Sequence, residues 1–245
     1  MDELSTQDRR KPAEDFGLSP LESVRPSESM AEQVFRALRS SIVTLRLTPG
    51  TALSEQDIAK RLETSRQPVR EAFIKLSEVG LVRILPQRGT FVVKISPKAV
   101  TDARFVREAV ECAIARRAAD DIAPDAVETL RELIAKQKVA AKAASAEDFF
   151  TLDEAYHRTL AEGAGCAYAW KVIGEAKAQM DRVRFLRLSE ATPMDHLIAH
   201  HQDILDAIVA KDADAAGEAM TIHLRGILQS LPRLAQAFPD LFEPG

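Results

Sequence analysis

Four residues in the later part of this chain have the types and spacing of a divalent-metal site. Asp153 and His157 stand one helical turn apart, in a pattern whose buried face includes Phe149, Phe150 and Leu160. His201 falls in the middle of the apolar stripe Leu197, Ile204, Leu205 and Ile208, and His223 shares a face with Ala216, Ala219, Met220 and Ile227. Three helical segments therefore each aim a metal-competent group at an interior. Three imidazoles and one carboxylate suit Zn²⁺, Ni²⁺ or another first-row divalent ion, with positions left for water or a ligand. The other reading is a set of unrelated buried polar residues bonded to backbone, each costing about 1–3 kcal/mol if left unsatisfied. The two remaining histidines sit differently. His200 is rotated about 100° from His201 on an ideal helix, at the edge of the stripe where it could line a cavity. His196 lies farther round and should see solvent. Arg107, on the flank of its helix beside Val110 and Ile114, either projects into the same cavity or pairs with Glu111.

A second group of residues has the chemistry of DNA recognition. In Ser65-Arg66-Gln67-Pro68-Val69-Arg70-Glu71-Ala72, Val69 and Phe73 face inward, so Arg66 and Arg70 lie together near a helix N-terminus. Long donors on the first turns are what a recognition helix needs in a major groove, and the helix end itself favours phosphate. Gln56 in the preceding helix and Gln87-Arg88-Gly89 in a turn would sit nearby, with Arg36 and Arg39 available to the DNA backbone. The alternative is that Arg66 and Arg70 pair with acids such as Glu63 or Glu71 on a solvated surface.

These side chains need elements to position them. A helix capped by Ser27 or Ser29 runs to about Leu45, with Val34, Leu38, Ile42 and Leu45 on one face, and Thr48-Pro49-Gly50 stops it. Ser54 with Asp57 opens a short helix through Leu62, and Thr64 or Ser65 caps a third, whose stripe is Val69, Phe73, Leu76 and Val79. The period then changes: Leu81 to Leu85 and Thr90 to Val93 are short β-prone runs around Pro86-Gln87-Arg88-Gly89. Three helices and a two-stranded hairpin with a basic tip make a winged helix-turn-helix over 27–96. From 97 to 245 the patterns are helical, over about 98–120, 124–144, 146–163, 166–190, 194–211 and 213–231, which predicts an antiparallel six-helix bundle. The tail from Pro232 carries Phe238, Leu241 and Phe242, able to pack back on the bundle. Residues 1–26 mix charge with Pro, Ser and Gly and read as a mobile arm.

Composition agrees with this division. Of 245 residues, 46% are hydrophobic and only 5% aromatic, a mainly helical balance with ample core. The net charge of −4 is uneven: residues 1–24 carry −3, 25–95 carry +5 and 96–245 carry −6. A basic block beside an acidic one suggests that a polyanion contacts only the first. Two cysteines make no disulfide framework, no run approaches the roughly 20 apolar residues of a membrane span, and the N-terminus has no secretory core. Secreted miniprotein, membrane protein and disordered chain are excluded, and the cytoplasm is the expected setting.

The chain resembles the GntR-type transcriptional regulators. The residues that carry the likeness are Pro49-Gly50-Thr51-Ala52-Leu53-Ser54-Glu55, Ile58-Ala59, Ser65 to Ala72, Leu76, Gly80-Leu81-Val82 and Arg88-Gly89-Thr90-Phe91-Val92. The resemblance implies DNA contacts from Ser65, Arg66, Gln67 and Arg70, with Gly89 letting the wing approach the minor groove. Gln67 stands where Thr is more usual. The later part is similar to the all-helical FCD domain of the FadR branch, through Val106 to Glu111, Asp153 to Leu160, His201 to Ile208 and Ala219 to Leu224. In metal-containing members those segments supply an Asp and three His, which fall here on Asp153, His157, His201 and His223; His200 stands where Glu is common. Six helices favour the shorter, VanR-like variant. The Arg matching Arg107 helps hold an effector carboxylate, a task suited to a bidentate fork.

Together these readings predict a dimeric, metabolite-responsive regulator that binds double-stranded operator DNA and is not an enzyme. A small organic or sugar acid would bind near the metal, with Arg107 and His200 as its contacts, and would release a repressor from DNA. Two alternatives are a metal-dependent hydrolase or lyase fused to a DNA-binding domain, and a DNA binder whose helical domain only dimerises. The hydrolase lacks an evident general base, nucleophile or cofactor loop beside the ligands.

Overall fold

Ser29 opens the first helix with a reciprocal cap: its hydroxyl accepts from the Glu32 N–H, while the Glu32 carboxylate accepts from the Ser29 N–H. In this computed structural model residues 28–190 and 194–244 are described. The expected arm at 1–26, the Ser27 cap and the Thr192-Pro193 break lie outside the described residues. The chain divides into two compact units at Lys94/Ile95, two residues before the expected boundary at Ser96-Pro97.

The first unit contains α1 (Met30–Val43), β1 (Ala52–Leu53), α2 (Glu55–Arg61), α3 (Arg66–Glu78), β2 (Val82–Leu85) and β3 (Gly89–Val92). Val34, Leu38 and Ile42 of α1 meet Val69, Phe73 and Leu76 of α3 in a buried core, with Ile58 of α2 beside them. The first helix ends two residues short of Leu45, which turns left-handed at φ 58°, and Leu47 takes the buried place. Ser54 caps α2 by accepting from the Asp57 N–H, whereas Ser65 precedes α3 without a side-chain cap bond. The wing has three strands where two were expected, all antiparallel, in the order β1-β3-β2. Two residues are too few for any period to reveal, so β1 is defined only by its pairing of Ala52 with Phe91 and Leu53 with Thr90.

The second unit consists, among the described residues, of α4 (Pro97–Asp120), α5 (Pro124–Lys142), α6 (Ala146–Gly163), α7 (Ala167–Ala176), α8 (Ala178–Glu190), α9 (Met194–Val209) and α10 (Ala213–Ala237). Ser96, Ser145 and Asp212 cap α4, α6 and α10 through their side-chain oxygens. Seven helices replace the expected six because the span 166–190 is broken at Lys177. The cause is tertiary: Lys177 is 1% exposed, and its ammonium donates to Glu154 of α6 and Asp181 of α8. The last helix runs through Pro232 to Ala237 instead of stopping before it. Beyond it, the Ile95 N–H donates to the Leu241 carbonyl, the Glu243 N–H donates to the Ile95 carbonyl, and Phe242 is buried. The tail thus packs back on its own unit. Among the described residues no helix is long and apolar enough to cross a membrane.

Candidate metal centre, anion cavity and nucleic-acid interface

Helix α6 brings Asp153 and His157 to the interior one turn apart, α9 brings His201 and α10 brings His223. All four are buried, and one ligand atom from each lies within 4.8 Å of the others. His157 Nε2 is 3.1 Å from His223 Nε2, and His201 Nε2 is 3.4 Å from Asp153 Oδ1. The surroundings decide which ring nitrogens face inward with a lone pair. His157 Nδ1 lies 2.6 Å from Glu111 Oε2, and His201 Nδ1 lies 2.8 Å from Gln137 Oε1. Both oxygens only accept, which favours the tautomer with the proton on Nδ1, although His157 Nδ1 meets Glu111 at ion-pair distance without hydrogen-bond geometry; both Nε2 atoms then present lone pairs. His201 Nε2 then faces a carboxylate oxygen with no proton between them, and this nitrogen and His223 Nδ1 are buried without a hydrogen-bond partner. Converging acceptors that lack donors are what a cation relieves, so these residues fit a metal.

The same packing fixes the ligands' ionisation. Burial lowers His201 to about 3 and His223 well below the ordinary imidazole range. Burial alone would raise Asp153, but Arg184, His157 and His201 outweigh it and hold the carboxyl below its usual value. Glu111 is likewise raised by burial and lowered further by Arg107 and His157. At neutral pH Asp153, His201 and His223 are therefore in the deprotonated forms that metal binding requires. A base whose folded pKa is depressed binds fewer protons folded than unfolded, so stability falls as pH drops below the unfolded imidazole value of about 6.5. The depressed carboxyls add a further loss below about pH 4. We expect the Tm of metal-free protein to decline from pH 7 to pH 5, read by circular dichroism, and His201→Gln to flatten that decline.

Beside the ligands lies a cavity of about 40 Å³ whose polar lining is Arg107, Asp153, Arg184, Arg187 and His223. Arg107 is 2% exposed and does pair with Glu111 through Nε, as one of the two readings had it. Its Nη2 is nevertheless buried without a partner, so both readings of this side chain describe part of its environment. His200 is not brought to the cavity. Its rotation of about 100° from the stripe leaves it half-buried beside His223, with ring centroids 5.9 Å apart, and His196 is exposed as expected.

Several contributors were not singled out from sequence. Tyr156 donates to the His201 carbonyl and stacks on its ring at 4.1 Å. Arg184 binds Asp153 Oδ2, Glu154 and Asp181. Gln137, Arg184 and Arg187 share one signal: each takes a place that the period of Leu130, Leu133 and Ile134, or of Met180 and Leu188, reserves for an apolar residue.

In the first unit Ser65, Arg66, Gln67 and Arg70 are exposed at the start of α3, and Gln56, Gln87, Arg88 and Gly89 are exposed on α2 and the wing tip. Gly89 has φ 110°, a conformation that favours glycine. Arg66 and Arg70 do pair with an acid, but with Glu55 of α2: Arg66 Nη2 donates at 3.0 Å, and Arg70 donates through Nε and Nη2 at 3.1 and 3.0 Å. Gln67 donates to Glu71. Arg36 is exposed and pairs with Glu28, while Arg39 is half-buried.

Comparison with known proteins gives concordant matches. Residues 30–92 match the model for bacterial regulatory proteins of the gntR family, and residues 102–226 match that of the FCD domain. The chain is 42% identical over 219 residues to the HTH-type transcriptional repressor RspR of Escherichia coli (strain K12), covering 89% of this chain and 96% of that one. It is 26% identical over 182 residues to the gluconate operon transcriptional repressor of Bacillus licheniformis, covering 72% and 74%. Among solved structures, E. coli McbR/YncC superposes with a TM-score of 0.75 at 19% identity over 84% of this chain and 98% of that one, a likeness of fold.

Proposed function

This chain belongs to the GntR family of bacterial transcriptional regulators and carries an FCD domain, and from that premise we propose a cytoplasmic, homodimeric repressor released from operator DNA by a small acid. It is a DNA-binding regulator and not an enzyme; what the acid is, how it acts and the dimer are the proposed part. The observation that carries the reading is the Arg107 guanidinium: its Nη2 is buried without a partner in a cavity shared with Asp153 and His223. A buried unpaired donor of a cation is costly, and a carboxylate satisfies it with charge and geometry together. Arg187 in the same lining adds a cationic group, whereas Arg184 is taken up by Asp153, Glu154 and Asp181.

Asp153, His157, His201 and His223 would hold a divalent ion, zinc or nickel by the nitrogen-rich donor set. Such an ion would supply a fixed positive charge beside the acid, with its open coordination positions left to water. Arg107 would hold the acid's carboxylate; His200 lies one imidazole farther out. A cavity of about 40 Å³ has room for about three water-sized groups, enough for a carboxylate head and too little for a long acyl chain, which favours a compact organic or sugar acid. The gluconate in the name of the Bacillus licheniformis relative is an acid of that kind. Ser65, Arg66, Gln67 and Arg70 would read the major groove, Gly89 the minor groove, and Arg36, Arg39, Gln56, Gln87 and Arg88 would add neighbouring contacts, with two protomers on a pseudo-palindrome.

The test is to select DNA from a random pool with the purified chain, then screen sugar acids and small dicarboxylates for release. We expect one sequence-specific site and at least one acid that weakens binding tenfold or more. Binding that is indifferent to sequence at physiological salt, or to every acid that enters the cavity, would overturn the corresponding half of the reading.

A further inference from the structure

One carboxylate stands between the two halves of the FCD site. Glu111 is 3% exposed and divides its oxygens: Oε1 takes the Arg107 Nε–H, and Oε2 lies 2.6 Å from His157 Nδ1. Arg107 lines the cavity and its Nη2 has no partner; His157 turns Nε2 towards His223. We propose that Glu111 couples metal and anion binding, so that each makes the other tighter. The inference rests on the proposed reading that both occupy this cavity, and deepens it by naming how occupancy of one is felt by the other.

The argument is about sharing one negative charge. Without a metal, Glu111 serves mainly as the counter-ion of Arg107, and a second anion gains little from a guanidinium already neutralised. A cation at His157 Nε2 polarises the ring and makes Nδ1–H a stronger donor, which draws Glu111 charge towards the imidazole. Arg107 is then less compensated and attracts the anion more strongly. Linkage makes the effect reciprocal, so the anion tightens the metal by the same factor. The contacts favour this route: both pairs are fully desolvated, where a change of charge on one oxygen is felt most strongly.

Glu111→Gln separates coupling from mere support. An amide has one accepting and one donating end, yet both neighbours of Glu111 donate. If its oxygen serves Arg107, its NH₂ faces Nδ1 and moves the ring proton to Nε2, where it blocks a ligand position. The reverse orientation sets two donors, the NH₂ and the Arg107 Nε–H, against each other. Trp170, the one tryptophan of the chain, lies parallel to the His157 ring at 6.3 Å and reports on this site by fluorescence.

The experiment titrates Ni²⁺ into the full metal-free chain, in chloride and in acetate buffers of equal ionic strength. Wild type is expected to bind Ni²⁺ several-fold more tightly in acetate, although acetate complexing free Ni²⁺ acts in the opposite direction. Glu111→Gln is expected to bind Ni²⁺ about 10–100-fold more weakly and without dependence on acetate. Arg107→Gln keeps the argument testable should Glu111→Gln not fold: it leaves Glu111 to His157 alone, so affinity in chloride rises and the acetate effect disappears. Acetate enhancement that persists in either variant means direct ligation of the metal and overturns the coupling. Equal Ni²⁺ affinity of wild type in both buffers also overturns it, with the metal reading intact. A wild type that takes up no Ni²⁺ overturns the metal reading itself, and the coupling with it.

Discussion

Purified protein is expected to retain about one divalent ion per chain by mass spectrometry, and His201→Ala to retain none after the same dialysis. His201 is the ligand with the most restricted surroundings: it is 0% exposed, its Nδ1 is committed to Gln137, and its ring is stacked on Tyr156. Only Nε2 is left to act, 3.4 Å from Asp153 Oδ1. Structural zinc in small peptides binds with about 10–16 kcal/mol at pH 7, so one ligand of four accounts for roughly 2.5–4 kcal/mol, or about two to three orders of magnitude in affinity. Ligand exchange during dialysis then empties the site. Tyr156 bonds to the backbone carbonyl of residue 201, not to its ring, so that link between α6 and α9 survives the substitution. Metal should also raise the Tm of wild type by mass action and leave the variant's unchanged. A wild type that holds no metal after refolding with zinc and nickel would sink the site.

Much of the fold is legible because its determinants are local. Ser29, Ser54, Ser65 and the Pro97 boundary are short-range signals, and the stripes of α1 and α3 repeat at the helical period over several turns. What was not legible depends on partners distant in sequence. The break at Lys177 has no glycine or proline beside it; it follows from an ammonium held between Glu154 and Asp181. β1 is a strand only because β3 lies against it.

The site divides along the same line. Asp153, His157, His201 and His223 stand out because each is a polar residue on a face otherwise apolar, and the helical period places that face inward. Arg184 and Gln137 satisfy the same criterion, yet an arginine among other basic residues on α8 resembles an ordinary solvated charge until Asp153 is seen beside it. The Arg107–Glu111 pair is visible as a one-turn spacing. Its second contact, to His157, crosses between helices and cannot be read from spacing. Likewise, local acids were the natural partners for Arg66 and Arg70, but the fold of α2 against α3 supplies Glu55 instead.

That last pairing sharpens the expected behaviour of the DNA-binding face. Arg66→Ala combined with Arg70→Ala should weaken operator binding by at least ~30-fold per recognition helix at fixed salt, because each good base-edge contact discriminates by about 1–3 kcal/mol. Both side chains are more than half exposed and pair with Glu55, so the fold itself should be unaffected. Glu55→Gln should act in the opposite direction. Arg66 and Arg70 must exchange their carboxylate for DNA, and Glu55 opposes this both as a competing acceptor and as a negative charge near phosphate. Its neutralisation should therefore strengthen non-specific binding several-fold at low salt, while selectivity falls because the two side chains lose the brace that aligns them. Fluorescence anisotropy against operator and scrambled DNA over a salt series separates these effects. Removing one arginine–phosphate interaction lowers the slope of log K against log salt by about 0.9, whereas removing a base-edge interaction lowers affinity with the slope unchanged. An arginine-free α3 that still prefers operator over scrambled DNA would move recognition to the wing, where Arg88 and Gly89 are the exposed candidates.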